Sequence, residues 1–337
     1  MDLECPHQAP TYYILCLHLI AAFSFTINSL GIYLVIFHAP NNSKYKLCQL
    51  YMQIVSMIVE NYMSWVAPAY YYFPMIAGYN TSSFTSKFIS THTSVIFYFF
   101  VFCFELPSIL SCFQFRNDSA AELSPKNRIP RSFSYFMNFL SHTFPFIVAF
   151  SVFKSTNTYQ QQYIIVSQKF PKCLHLLYMD EFAVYDYVDN LWLAIAGIAV
   201  IGFLTIFFAY MIFLVAHTII ILTKMRRFMS PATFKLHKTA LISLILQVVI
   251  PLSFVCVPLT IIFIVILKEL TKYQELATDT MLLITAQSMI STIVMIACNS
   301  RYKAVTISIV LKIFRRKNKT ADQTTIIERT RTSVNPI

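Results

Sequence analysis

Long apolar runs separated by short polar, basic segments dominate this chain. A membrane-spanning helix needs about 20 mostly apolar residues. Seven runs meet or approach that length: Tyr13–Phe37, Leu47–Phe73, Ile89–Phe113, Phe133–Phe153, Leu191–Leu222, Thr239–Leu267 and Thr280–Cys298. The pattern predicts an all-α integral membrane protein, a seven-helix bundle within residues 13–298. The first run follows an acidic start, Met1-Asp2-Leu3-Glu4, and is too long for the core of a cleavable signal. It reads as a retained signal-anchor helix.

Composition agrees. Of the 337 residues, 57% are apolar and 12% charged, about half the charge of a soluble domain. With 31 Phe and 20 Tyr the chain is too aromatic for disorder, and four glycines exclude collagen-like or Gly-rich repeats. No internal repeat is visible.

The excess of 26 Lys+Arg over 15 Asp+Glu raises nucleic-acid binding, and the placement of the cations argues against it. Twenty of the 26 fall in loops 38–46, 114–132 and 223–238 and in the segment from Asn299 onward. The other six are Lys87, Lys154, Lys169, Lys172, Lys268 and Lys272. Cytoplasmic loops carry the Lys/Arg excess, so the N-terminus is expected outside and the C-terminus inside. Residues 1–12 then form an extracellular segment. Residues 299–314 suit an amphipathic helix on the inner leaflet, and 315–337 a basic, disordered cytoplasmic tail.

Eight cysteines are present. Six lie within or at the inner ends of spans, where they read as small apolar packers. Cys5 and Cys173 fall outside, in an oxidising setting, and are disulfide candidates; two free thiols is the other reading. Among the N-x-S/T sequons, Asn41, Asn117 and Asn318 fall inside, whereas Asn80 falls outside and is the candidate glycosylation site.

Ionisable residues within spans are costly and face the bundle interior. Glu60 in the second span and Glu105 in the third have no Lys or Arg at their depth. Partners are expected among Gln247, Gln287, Asn28, His142 or a hydrated cavity. Either the two acids take part in switching, or they are neutral and hold helices together by hydrogen bonds. Pro68, Pro107, Pro145, Pro251 and Pro258 fall inside spans, where each removes a backbone hydrogen bond. Pro251 and Pro258 make the sixth span bent and hinge-capable. Trp65, Tyr70, Tyr71, Tyr72, Phe73, Tyr98 and Trp192 crowd the outer halves; most read as interfacial belt residues, a minority as pocket lining.

No catalytic constellation is found: there is no H-E-x-x-H, no G-x-S-x-G, no phosphate-cradling Gly loop and no metal-ligand spacing. The seventh span lacks a lysine. An enzyme is not expected, nor a cofactor or a metal.

Ordered motifs over most of the chain carry a resemblance. They open with Cys5-Pro6…Pro10-x-Tyr12, then Asn28-x-x-Gly31-x-Tyr33-Leu34, Phe73-Pro74-x-x-Ala77-Gly78-Tyr79 and Phe113-x-Phe115-Arg116. The strongest is Met229-Ser230-x-x-Thr233-x-x-x-His237-Lys238-x-Ala240-Leu241-x-Ser243-Leu244-x-x-Gln247, continuing to Ile250-Pro251 and Pro258. Ser291-Thr292-Ile293-Val294-Met295 leading to Arg301-Tyr302-Lys303 closes the set. Together they resemble nematode serpentine chemoreceptors, class I most and class H next. Ser300 stands where that family usually has Pro, Lys303 where it has Arg, and Asn-Asp-Ser-Ala follows Arg116.

The resemblance implies a chemosensory G-protein-coupled receptor at the plasma membrane, more finely the ciliary membrane of sensory neurons. Its partners would be an odorant-like small molecule in the outer bundle, a cytoplasmic heterotrimeric G protein and the bilayer. Arg116, Arg226, Arg227, Arg301 and Tyr302 are the expected G-protein-facing residues. The alternatives are a seven-span ligand-gated channel, whose N-terminus lies inside, and a transporter.

Overall fold

Each apolar run of the sequence forms a helix, and proline or polar positions set where it stops or bends. The computed structural model describes residues 5–39, 43–82, 85–122, 124–179, 182–186, 188 and 190–312. The first rod is α1 (Thr11–His38), 28 residues or about 42 Å at the usual rise. The second is α2 (Ser43–Asn61), which continues as a π-helical turn, Tyr62–Val66. The third is broken into α3 (Thr91–Cys103) and α4 (Glu105–Ala121). The fourth is α5 (Arg131–Lys154), and α6 (Tyr159–Lys169) is a short helix in the connection that follows. Rods five and six are α7 (Leu191–Met225) and α8 (Pro231–Leu267). The seventh joins α9 (Gln274–Thr285) to α10 (Gln287–Cys298) with a 42° bend. A last helix covers 300–312.

Among the described residues five spans are long and apolar enough to cross a bilayer alone, and the bent α9–α10 pair makes a sixth. The remaining rod, α2, contains Lys44, Lys46 and Glu60 and is more polar than its neighbours. The outward faces of the bundle are apolar: Ile198, Ile201, Ile212 and Phe213 of α7 and Phe139 and Phe150 of α5 are exposed. Such surface belongs in hydrocarbon, and the chain is a multi-pass membrane protein.

Residues 69–73 depart from expectation. The second span was expected to run to Phe73, but its helix ends before Pro68, and Ala69–Tyr72 forms strand β1. Strand β2 (Ala77–Asn80) pairs with it antiparallel, Tyr70 opposite Tyr79, and β3 (Ala183–Val184) pairs with β2. A short apolar run does not distinguish strand from helix by hydropathy alone. Pro68 stops the helix and the tyrosines favour a pleated surface. This sheet, α6 and the N-terminal segment cover one end of the bundle, here the capped end. The opposite end holds the helix over 300–312, whose Tyr302 and Val305 pack on Leu34, Val35 and Met295.

The break in the third rod has a local cause. Pro107 cannot donate to the carbonyl four residues back, and its ring crowds that carbonyl. That residue is Cys103, after which the helix breaks at Phe104. Pro251 acts on Gln247 in the same way, and here Ser291 of α10 supplies the missing donor, Oγ to the Gln247 carbonyl at 3.2 Å.

Gly31 sets how closely α1 meets α2 and α10. A Cβ there would stand 2.5 Å from Thr292 Cγ2 and 2.9 Å from Gln53 Oε1. Gly31→Ala is expected to lower stability by about 1–3 kcal/mol through overpacking. Gly197→Ala on α7, where nothing lies within 4 Å, should leave the melting temperature of the purified protein unchanged or slightly higher.

Candidate functional site

Polar residues recur at helical spacing on several rods and converge on the bundle axis. On α2, Gln49, Gln53, Ser56 and Glu60 are four, three and four residues apart, one face of the helix. Facing them are Ser24 and Asn28 of α1 and Ser288, Ser291 and Thr292 of α10, all buried. Asn28 Nδ2 lies 2.9 Å from Glu60 Oε2, 3.0 Å from Ser24 Oγ and 3.0 Å from Ser288 Oγ. Two amide hydrogens cannot serve three acceptors, so the rotatable serine hydroxyls, which also face Glu60, turn to donate toward it. Thr292 donates to Asn28 Oδ1 at 2.6 Å and lies 2.9 Å from Gln53 Oε1.

A second knot forms where the two broken rods meet. The α3–α4 break places Glu105 in the first turn of α4, and the α9–α10 bend places Gln287 in the first turn of α10. Gln287 Nε2 donates to Glu105 Oε2 at 2.9 Å, and the Ser56 hydroxyl also faces this carboxyl. Glu60 is 2% exposed and Glu105 8%, and no Lys or Arg is among their described hydrogen-bond partners. Amides and hydroxyls must offset a burial that costs several kcal/mol for a charge. Farther along, Asn117 Nδ2 meets Thr218 Oγ1 at 3.0 Å and His217 Nδ1 at 2.8 Å, tying α4 to α7.

The end opposite the cap opens into a crevice of about 430 Å³ between α2, α4, α8 and the start of the helix over 300–312. Arg116 lies in it with Cζ 3.7 Å from the centre of the Tyr45 ring, a favourable cation–π stack. Asn299 caps the last helix, its Oδ1 accepting from the backbone N–H of Arg301 (3.1 Å) and Tyr302 (3.4 Å). Tyr302 is 1% exposed, and burial pushes its phenol up to about 12, so it stays a donor.

At the other end Cys5 and Cys173 are joined, with Cα atoms 5.4 Å apart. His175 Nε2 lies 2.9 Å from the Cys5 carbonyl, Tyr72 OH donates to the Pro6 carbonyl at 2.7 Å, and Ala9 N–H donates to Tyr79 OH at 2.7 Å. Burial pushes the Tyr70 phenol up to about 12 and that of Tyr72 higher still. Lys169 pairs with buried Asp186 at 2.5 Å. Beneath this cap Tyr71, Phe73, Met63, Ile262 and Met281 pack into one cluster with half-buried Tyr98 beside it.

Residues 3–306 match the family described as serpentine type 7TM GPCR chemoreceptor Sri. The chain belongs to that family. No curated protein matches it. Membership makes this Sri chain a chemosensory receptor of the G-protein-coupled class rather than a member of an enzyme class.

In this Sri receptor the expected site residues separate into groups. Glu60 takes Asn28 as its partner and Glu105 takes Gln287, while His142 turns to the Asn138 carbonyl and stacks on Tyr51. Gln247 reaches Ser243 of its own helix through its side chain. Arg116, Arg301 and Tyr302 meet at the crevice, but Arg226 and Arg227 lie on the exposed turn between α7 and α8, Arg226 over the Phe234 ring. Pro251 and Pro258 are both buried in an unbroken α8.

Asn80 is misplaced as a glycan acceptor. It sits in β2 at 5% exposure with Nδ2 buried and Oδ1 accepting from Ser82 N–H, so a sugar there has no room. Asn117 is likewise buried, and Asn41, Asn318 and the tail from 313 lie outside the described residues. Of the aromatics, Trp65 at 61% exposure suits a belt. Tyr70, Tyr72 and Phe73 are cap residues instead. Sequence reasoning missed Gln53 and Tyr45; the spacing of polar residues along α2 was the signal for the first, and nothing local marked the second.

If Asn28 and Glu60 act as a unit, a double-mutant cycle of Asn28→Ala and Glu60→Gln should show coupling of about 1–3 kcal/mol. Thermal unfolding in detergent reads it; additive losses would mean that the two side chains do not support one another.

Proposed function

We propose that this receptor binds a small, largely apolar, odorant-like molecule beneath the cap and signals to a heterotrimeric G protein at the crevice. The observation that carries the reading is the Glu105–Gln287 joint, which links the breaks of two spans midway between the two ends. A ligand shifts a conformational population only by differential affinity. Broken helices give the bundle a place to rearrange, and the Tyr71–Met281 cluster lies directly on the cap side of it. Movement of α8 about Pro251 and Pro258 would widen the crevice, because Arg116 and His237 form its facing walls. Arg116, Arg301 and Tyr302 face the G protein, with Arg226 and Arg227 on the flanking turn.

In this reading the capped end is extracellular and the crevice end cytoplasmic, in the plasma membrane and more finely the sensory cilium. Two features support it. Among the described residues most Lys and Arg collect at the crevice end, and the cystine sits at the capped end, where an oxidising exterior maintains it.

Arg116→Gln is expected to leave surface abundance intact while cutting ligand-evoked G-protein activation at least tenfold. Tyr71→Ala and Tyr98→Ala should raise the half-maximal ligand concentration with the maximal response kept. Screening volatile and soluble compounds with calcium and cyclic-nucleotide readouts supplies the ligand. A response that persists undiminished in Arg116→Gln would refute the coupling site.

For orientation, an N-terminal epitope should be stained on intact cells and a C-terminal one only after permeabilisation. In the same cells Cys5→Ser and Cys173→Ser should lower surface abundance equally, with the double variant no worse than either. The opposite staining would remove the signalling proposal.

A further inference from the structure

The crevice holds buried polar atoms without partners among the described residues: two donors and one acceptor, Gln247 Oε1. Arg116 Nε and Tyr302 Oη are both buried and without a hydrogen-bond partner among the described residues, and both residues line the same cavity. An orphaned buried donor is costly, and two at one cavity point to an absent acceptor. Arg301 adds a second guanidinium, and His237 adds a ring on the α8 wall. The first turn of the helix over 300–312 also opens here, bringing the positive end of its dipole. Among the described residues no Asp or Glu lines the cavity.

We infer that the crevice is a binding site for a phosphate-bearing anion. The donors arrive from separate elements, α4 and the last helix, with α8 and α2 closing the sides. Convergence from several directions suits a tetrahedral oxyanion better than a planar carboxylate, which offers its acceptor lone pairs in one plane. A volume of about 430 Å³ holds a phosphorylated ring and not merely an ion. Tyr302 remains a donor throughout the physiological range, its phenol held near 12 by burial. The phosphate has two sources, an inositol-lipid headgroup from the adjoining leaflet or a soluble phosphate ester. Occupied, the site competes with whatever protein enters the crevice.

The experiment uses the full-length receptor in phosphatidylcholine nanodiscs, without ligand or G protein. One arm titrates inositol trisphosphate and inorganic phosphate; the other places phosphatidylinositol bisphosphate in the disc. A rise in Tm in the first arm assigns a soluble ester, and a rise in the second alone assigns the lipid headgroup. Arg116→Lys keeps the charge but loses the Nε donor, and Tyr302→Phe keeps the ring but loses the hydroxyl. Each should weaken apparent binding about tenfold, and Arg301→Gln should do so as well. The paired change Lys235→Gln with Lys238→Gln, on the exposed start of α8, should leave it unaltered. No shift in either arm, or an equal loss in the Lys235/Lys238 variant, overturns the inference; the latter result means diffuse attraction to a basic surface. Because no G protein is present, failure here is separate from failure of the signalling reading.

Discussion

Two carboxyl groups inside a membrane bundle, with no cation among their described partners, set the terms for everything around them. Charge in a low-dielectric interior is expensive unless donors surround it. The receptor answers with amides and hydroxyls from α1 and α10 around Glu60 and from α2 and α10 around Glu105, and one oxygen of each acid keeps no partner among the described residues. These donors sit on rods other than the one that carries the acid, so the bonds they make fix how the rods register against one another. Gly31 belongs to the same constraint, since only a missing side chain lets Gln53 and Thr292 approach α1 closely enough to join the network.

The bends follow from the same region. Pro107 frees the Cys103 carbonyl and breaks the third rod at Phe104, directly before Glu105, while the bend at Ala286 turns Gln287 to meet it. Pro251 frees the Gln247 carbonyl, and Ser291 takes it up. In hydrocarbon a released carbonyl cannot turn to water, so each broken backbone bond calls for a partner on a neighbouring helix. Irregular backbone and buried acid therefore occur at the same depth and stabilise each other.

The seven apolar runs were legible because hydropathy is a property of long windows, and the two acids stood out as isolated charges within them. The hairpin was hidden: Tyr70–Phe73 continues an apolar run without a gap, and only Pro68 and Pro74 bracket it. Asn80 read as accessible because its sequon lies in a loop by hydropathy, whereas strand pairing buries it. Partners for the acids were partly legible. Asn28 and Gln287 were named from polarity, but Ser288 and Thr292 had to be chosen by three-dimensional register. Arg116 was visible as a motif residue and Tyr45 was not, since stacking of a guanidinium on a ring from another helix leaves no trace in either local sequence.

The woven N-terminus constrains the order of synthesis. Cys5 leaves the ribosome first, yet its sulfur partner lies 168 residues later, and β2 gains its outer neighbour only with residues 183–184. Pro6 and Ala9 can meet Tyr72 and Tyr79 early, but Cys173 follows only after the fourth rod has been threaded. Closure of the cap thus waits on the second half of the chain: a chain halted midway through insertion carries Cys5 without Cys173.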